Sequence, residues 1–192
     1  MKKYTLILLI LFFIVKYYYY IPLMSNRNKL EWLVVGDIGL FGNNFYKLIE
    51  NQKNGHSKFI NVLGDNFYPN GIDSNNLKDW KFIKKFNNIL NIPIYSILGN
   101  HDYHKEPKQQ IIYNYNNWNM PYYYYYKEYP KYNIGFWYID TQILTCNVQG
   151  FSKEFIENKI GKNIDIQHIN WLDNTLKNSK MKIKIVNGHY PM

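Results

Sequence analysis

Short apolar runs alternate along the chain with amphipathic segments. The runs contain few polar interruptions, which is typical of strands covered on both faces. They lie at Glu31–Val35, Lys58–Leu63, Pro93–Leu98, Ile134–Ile139 and Lys182–Val186. Apolar residues spaced three or four apart predict helices, at Phe45–Asn51, Leu77–Leu90 and Ile166–Leu176. This order predicts an α/β fold with a mainly parallel core. Residues 105–133, rich in Pro, Asn and Tyr, are expected to form an irregular insert.

The N-terminal segment is different, because apolar and aromatic residues continue from Tyr4 to Met24 after Lys2 and Lys3. The first run, Leu6–Val15, is too short to span ~30 Å of hydrocarbon, but the whole segment is long enough. Without a small-residue cleavage site, an uncleaved signal anchor is favoured over a removed signal peptide. The alternative is a buried element of the domain. The prediction is a signal peptide or anchor at 1–24, a linker at 25–29 and a domain at 30–192, on the non-cytoplasmic side of a membrane or secreted.

Composition changes this picture little. The net charge is +9, but the lysines are scattered, so the charge is that of a solvated surface and no nucleic-acid partner is expected. The twenty tyrosines raise the hydrophobic content to 46%. The single cysteine, Cys146, excludes an internal disulfide and is expected to be a buried or idle thiol.

Four of the predicted strands end in the same way, with a glycine followed by a side chain able to bind a metal. These side chains are Asp37, Asp65, Asn100 and His189. Ligands collect beyond the carboxyl ends of strands in open α/β sheets, so neighbouring strands would bring the four together. Carboxylate, amide and imidazole donors suit Zn, Mn or Fe better than Ca. The pattern therefore predicts a shared metal site.

The strings at these junctions resemble those of the calcineurin-like metallophosphoesterases, in the same order. They read GDIG from Gly36, GDNFY from Gly64, GNHD from Gly99 and GHYP from Gly188. GDIG lacks the first-motif histidine common in that superfamily, and GDNFY supplies Tyr68 instead. This exchange resembles the small tartrate-resistant purple acid phosphatases, as do the segments Trp118–Pro121 and Trp171–Leu172. The resemblance implies a four-layer α-β-β-α sandwich.

The resemblance also implies a role for each residue in a phosphate monoester hydrolase with two metals. Asp65 would bridge the metals, and Asp37 with Tyr68 would complete the Fe(III) side. Asn100 and His189 would hold a divalent ion, either Fe, Zn or Mn. His101 would contact the substrate phosphate or protonate the leaving alcohol, and Asp102 would orient His101.

The remaining histidines and the tyrosine run match no motif. His56, His104 and His168 are expected at the surface, with His104 close enough to His101 to line the pocket. Tyr122–Tyr126 is interpreted as compositional bias together with an edge strand.

One motif of the resembled family is absent from the 192 residues. That family has a further Gly-His-x-His after the GHYP-type string, with one histidine for each metal, and this sequence contains no His-x-His. We therefore expect an incomplete sandwich, one ligand too few on each metal, little activity, and an exposed edge on the strand ending at Val186. The chain could be a fragment, it could be completed by a second polypeptide, or it could be a non-catalytic membrane-anchored scaffold.

Overall fold

A computed structural model describes residues 29–39, 47, 49–50, 52–53, 55–75, 80–113, 117–145 and 151–190. The predicted signal or anchor segment, most of the linker and Cys146 lie outside these ranges. So does much of the helix predicted at 45–51, although Lys47, Ile49 and Glu50 are helical. Among the described residues, no helix combines the length and apolarity needed to cross a bilayer.

Within the described residues, the first sheet contains four parallel strands in sequence order. They are β1 (Leu33–Val35), β2 (Ile60–Leu63), β3 (Ile94–Ile97) and β4 (Trp118–Asn119). The first three confirm the strands predicted from apolar runs. Because β2 and β3 lie inside the sheet, three of the four residues in each are buried.

The second sheet contains three strands, β5 (Tyr125–Tyr129), β6 (Ile134–Tyr138) and β7 (Ile183–Asn187). The pair β5–β6 is antiparallel and the pair β6–β7 is parallel. The prediction of an irregular insert at 105–133 is wrong, because this segment contains β4, β5 and a short helix. A run of identical tyrosines has no apolar–polar alternation, so the pattern could not reveal β5 in full.

The fully described helices are α1 (Lys81–Ile89), α2 (Gln109–Ile112), α3 (Thr141–Leu144), α4 (Lys153–Ile160) and α5 (Ile164–Asn178), with 3₁₀ turns at His101–His104 and Pro130–Tyr132. Two of them, α1 and α5, match the helices predicted at Leu77–Leu90 and Ile166–Leu176, and α2, α3 and α4 were not predicted. Side chains cap two of the helices. Ser152 accepts a hydrogen bond from the Phe155 amide, and Asp140 accepts from the Gln142 and Ile143 amides.

The two sheets pack face to face through aromatic side chains. Phe136 of β6 meets Trp32 and Phe59 edge-on, at centroid separations of 5.0 and 5.2 Å. On the outer face of the second sheet, Trp137 Nε1 donates to Thr175 Oγ1 of α5 over 2.9 Å. The α/β sandwich class is thereby confirmed.

The edge strands β1 and β7 depart from the prediction that strands are covered on both faces. Val34 is 52% exposed, and Ile183 and Val186 are 51% and 45% exposed. In the described part of the chain β1 pairs with β2 and β7 pairs with β6, which leaves one edge of each open. The exposed edge expected at Val186 is therefore observed.

His168 was expected at the surface, but its side chain is fully buried. Its ring stacks on Tyr124 with the centroids 4.2 Å apart and the planes 6° from parallel. Burial lowers the pKa of His168 to about 4. The prediction is wrong because α5 turns Ile164 and His168 to the core and leaves Ile169 55% exposed, contrary to the face that the apolar spacing favours. His56 and His104 are exposed, as predicted.

Candidate metal centre

The carboxyl ends of strands from both sheets meet at one edge of the sandwich. Asp37 follows β1, Asp65 follows β2 and His189 follows β7, and one potential ligand atom from each lies within 4.8 Å of the others. Asn100 follows β3, and its Oδ1 lies 3.3 Å from His189 Nε2. The structure therefore brings together all four strand-end side chains singled out in the sequence.

The backbone at the two aspartates is left-handed. Asp37 and Asp65 both have φ of 54°, a region that Asp visits more readily than most residues but that still costs of order 1–2 kcal/mol. The Asp37 amide donates to the Gly64 carbonyl over 3.0 Å, which joins the two turns. Gly99 completes the packing, because a Cβ there would collide with the Asp65 carboxylate.

Tyr68 lies between the two carboxylates. Its hydroxyl donates its single proton to Asp65 Oδ2 over 2.5 Å, and its oxygen also lies 3.0 Å from Asp37 Oδ1. Burial raises the pKa of Tyr68, and the hydrogen bonds to Asp65 and Asp37 raise it further. Without a bound metal the phenol therefore keeps its proton and stands between two like charges.

His189 is oriented by a main-chain group. Its Nδ1 lies 2.7 Å from the Leu63 carbonyl oxygen, and because a carbonyl only accepts, Nδ1 carries the proton. In the neutral ring the lone pair of Nε2 then faces Asn100 Oδ1 at 3.3 Å and Asp65 Oδ1 at 3.5 Å. Three acceptor atoms meet here, an arrangement that a cation would satisfy.

His101 stands on the open side of the cluster, with its side chain 31% exposed. Its Nδ1 lies 2.5 Å from the Pro69 carbonyl, so this nitrogen also carries the proton. Its Nε2 lies 3.9 Å from Asp65 Oδ2. The His101 amide donates to Asp65 Oδ1 over 3.0 Å, which fixes that carboxylate.

The resemblance implied that Asp102 orients His101, but the structure contradicts this. The Asp102 carboxylate is hydrogen-bonded to other groups. It accepts from the Gly99 amide at 2.9 Å, the Asn66 amide at 3.1 Å and the Phe67 amide at 3.2 Å. Burial raises the pKa of Asp102 to about 6, although the hydrogen bonds from the Gly99 amide, the Gln110 side chain and the Asn66 amide lower it. Asp102 therefore joins the turns after β2 and β3, and Pro69 orients His101.

Sequence reasoning missed two buried amide side chains beside this carboxylate, Asn66 and Gln110, both fully buried. Asn66 follows the proposed bridging aspartate directly, so its position could have drawn attention. Gln110 lies in a short helix within the supposed irregular insert, and no motif marks it.

A family model described as calcineurin-like phosphoesterase matches residues 32–192. The chain belongs to this family. All four strand-end residues, together with Tyr68, lie within the matched calcineurin-like phosphoesterase region.

Curated proteins narrow the relationship. The chain is 32% identical over 146 residues to tartrate-resistant acid phosphatase type 5 of Rattus norvegicus, covering 70% of this chain and 44% of that protein. The same enzyme from Homo sapiens is 28% identical over the same shares of both chains. Purple acid phosphatase 17 of Arabidopsis thaliana is 36% identical over 92 residues, covering 43% of this chain and 27% of that protein. The calcineurin-like phosphoesterase chain thus spans less than half the length of these relatives, and its predicted kinship with tartrate-resistant and purple acid phosphatases is confirmed.

Proposed function

We propose that this chain carries part of the catalytic site of a metal-dependent phosphate monoesterase of the purple acid phosphatase type. The observation that carries the proposal is the lone pair of His189 Nε2, which faces the amide oxygen of Asn100 and a carboxylate oxygen of Asp65, with the Asp37 carboxylate nearby. These nitrogen and oxygen atoms are suitable ligands for a metal ion, and the homology to phosphatases supports a centre with two metal ions.

The Asp65 carboxylate supports a bridging role, because its two oxygens face different partners. Oδ2 accepts from the Tyr68 phenol, next to Asp37. Oδ1 lies near His189 Nε2 on the other side. We assign Asp37, Tyr68 and Asp65 to one metal and Asp65, Asn100 and His189 to the other.

The donor types suggest the metals. Phenolate and carboxylate oxygens are hard ligands suited to Fe(III), whereas imidazole and amide suit a divalent Fe, Zn or Mn ion. When bound, such a pair would supply a hydroxide nucleophile near neutral pH and neutralise charge on the phosphate.

His101 is the candidate for contact with the substrate. Because its Nδ1–H is held by the Pro69 carbonyl, its Nε2 points towards the carboxylates on the exposed side. From there it can hold a proton for a phosphate oxygen or for the departing alcohol. The Pro69 contact fixes both the tautomer and the ring orientation that this role needs.

A non-catalytic scaffold is the second candidate, because the residues assigned here provide only three protein ligands for each proposed metal. We propose that these ligands alone give weak metal binding and little hydrolysis. For residues 1–24 we extend the proposal to a signal peptide or anchor, which would make the protein secreted or membrane-anchored with its domain on the non-cytoplasmic side.

The test is to purify the full chain with iron and zinc, then measure metal content, the visible tyrosinate–iron band and hydrolysis of an aryl phosphate. The variants are Asp65→Asn and, as a matched control, Asp173→Asn, which alters an exposed ion pair with Lys177. The enzyme proposal expects bound metal that Asp65→Asn removes and Asp173→Asn keeps. A metal-free, colourless wild-type chain would contradict the enzyme proposal for these 192 residues and favour the scaffold.

A further inference from the structure

We propose that Gln110 is a positioning residue for the metal centre, acting through Asp102 and Asn66 on the two turns that carry Asp65 and Asn100. This inference rests on the proposed function, since it concerns the geometry of the same site. We call the three side chains of Gln110, Asn66 and Asp102 the amide clamp.

Gln110 uses both ends of its side-chain amide. Its Nε2 donates to Asp102 Oδ1 over 2.8 Å, and its Oε1 accepts from Asn66 Nδ2 over 2.9 Å. A glutamate here would place a carboxylate oxygen against Asp102, and an apolar residue would supply neither bond. The contacts therefore require a group that is donor and acceptor at once.

The helix that carries Gln110 is itself anchored. The Gln110 carbonyl accepts a hydrogen bond from Trp118 Nε1 over 3.0 Å, which links α2 to β4. Trp118 is buried, and its ring meets Trp80 edge-on at 5.3 Å. The clamp is thus held against the hydrophobic core.

Asn66 extends the clamp to the neighbouring strand. Its Nδ2 also donates to the Ile97 carbonyl at the end of β3, over 2.8 Å. With both hydrogens of Nδ2 used, the orientation of the amide is fixed. In the described part of the chain Asn66 Oδ1 has no partner, so the two donated bonds determine how this side chain lies.

The clamp acts one residue away from two proposed ligands. Asn66 directly follows Asp65, and the Gly99 amide, bound by Asp102, directly precedes Asn100. Adjacent Cα atoms are held about 3.8 Å apart, so a displacement of Asn66 or Gly99 is passed on to the ligand beside it. Gln110, which touches neither ligand, therefore sets their separation.

The main variant is Gln110→Met, which keeps the length of the side chain and removes both hydrogen bonds. Gln110→Glu is the second variant, in case the methionine variant does not fold. The control is Thr175→Val, which deprives Trp137 Nε1 of its acceptor on α5. We would measure Zn²⁺ affinity by competition titration, and amide hydrogen exchange in the metal-free full chain.

Both Gln110 variants should weaken Zn²⁺ binding by about 10–100-fold, as loss of groups behind metal ligands does. They should also speed exchange selectively in residues 64–68 and 99–102, while Thr175→Val changes neither reading. Unchanged exchange in these turns, or a uniform rise over the whole chain, would overturn the inference. If the wild-type chain binds no Zn²⁺, the proposed metal centre fails, and the exchange pattern alone decides whether the clamp positions the turns.

Discussion

The Nδ1–H of His189 donates to the carbonyl of Leu63 over 2.7 Å, although the two residues are 126 positions apart. The bond joins the end of β7 to the end of β2, one strand from each sheet. It sets the tautomer of the imidazole before any ligand arrives, so Nε2 is the atom available to a metal.

His189→Ala should remove the divalent ion and leave iron bound. The imidazole takes no part in the contacts of Tyr68 with Asp37 and Asp65. The proposed iron ligands should therefore stay in place. Element analysis gives the ratio of the two metals. The exposed His56→Ala serves as the control, and equal loss of both metals from His189→Ala would contradict the assignment of separate sites.

Tyr68→Phe should abolish the visible band of the iron-loaded chain and weaken iron binding. It removes the phenol oxygen, and in the metal-free chain it leaves Asp37 and Asp65 without their shared donor. Absorption spectra and iron titration measure both effects, with the exposed Tyr122→Phe as the control. A persisting band would mean that another tyrosine binds the iron.

His101→Gln should weaken the binding of inorganic phosphate to the metal-loaded chain while the metal content stays unchanged. The glutamine amide cannot reproduce the fixed imidazole, whose Nε2 faces the carboxylates. If hydrolysis is measurable, its rate should fall by about 10²–10⁴-fold, the usual contribution of a general acid. Isothermal titration with phosphate is the primary measurement, and metal loss in this variant would refute a role in substrate contact.

Much of this centre could be predicted from sequence, because the carboxyl ends of parallel strands share one edge and the residues after them must meet. Asp37, Asp65 and Asn100 follow neighbouring strands of the first sheet and were found in this way, whereas His189 carries the same glycine–ligand pattern but follows β7 of the second sheet. Gln110 was not found, because its role depends on contacts with Asn66 and Asp102 at separations that no local pattern encodes. The orientation of His101 by Pro69 was missed for the same reason, since a main-chain carbonyl leaves no mark in the sequence.

The burial of His168 predicts a pH dependence of stability. The pKa of His168 is lowered in the folded chain to about 4 from its ordinary 6.5, so the unfolded chain binds the extra proton between these values. This contribution to stability is complete above pH 6.5 and is lost as the pH falls towards 4. From about pH 7.5 to about pH 5.5, the wild-type chain should lose roughly 1 kcal/mol more than His168→Phe.

Urea unfolding of both proteins at the two pH values measures this difference. Phenylalanine can preserve the stacking on Tyr124 and does not titrate. Asp140, whose pKa burial raises to about 7, acts in the opposite direction, since it destabilises the fold as the pH rises from 3.8 towards 7. It is present in both proteins and cancels in the comparison. Equal pH dependence of the two would rule out a contribution from His168.

The left-handed backbone at Asp37 and Asp65 changes which replacements count as conservative. Glutamate keeps the negative charge, but it adopts a φ of 54° less readily than aspartate does. Asparagine gives up the charge and accepts that conformation readily. A loss of metal in an Asp65→Glu variant would therefore combine altered reach with a disturbed turn, whereas the loss in Asp65→Asn reports the missing carboxylate alone. In any homologous or engineered version of this chain, these two positions should accept asparagine more readily than glutamate on grounds of folding.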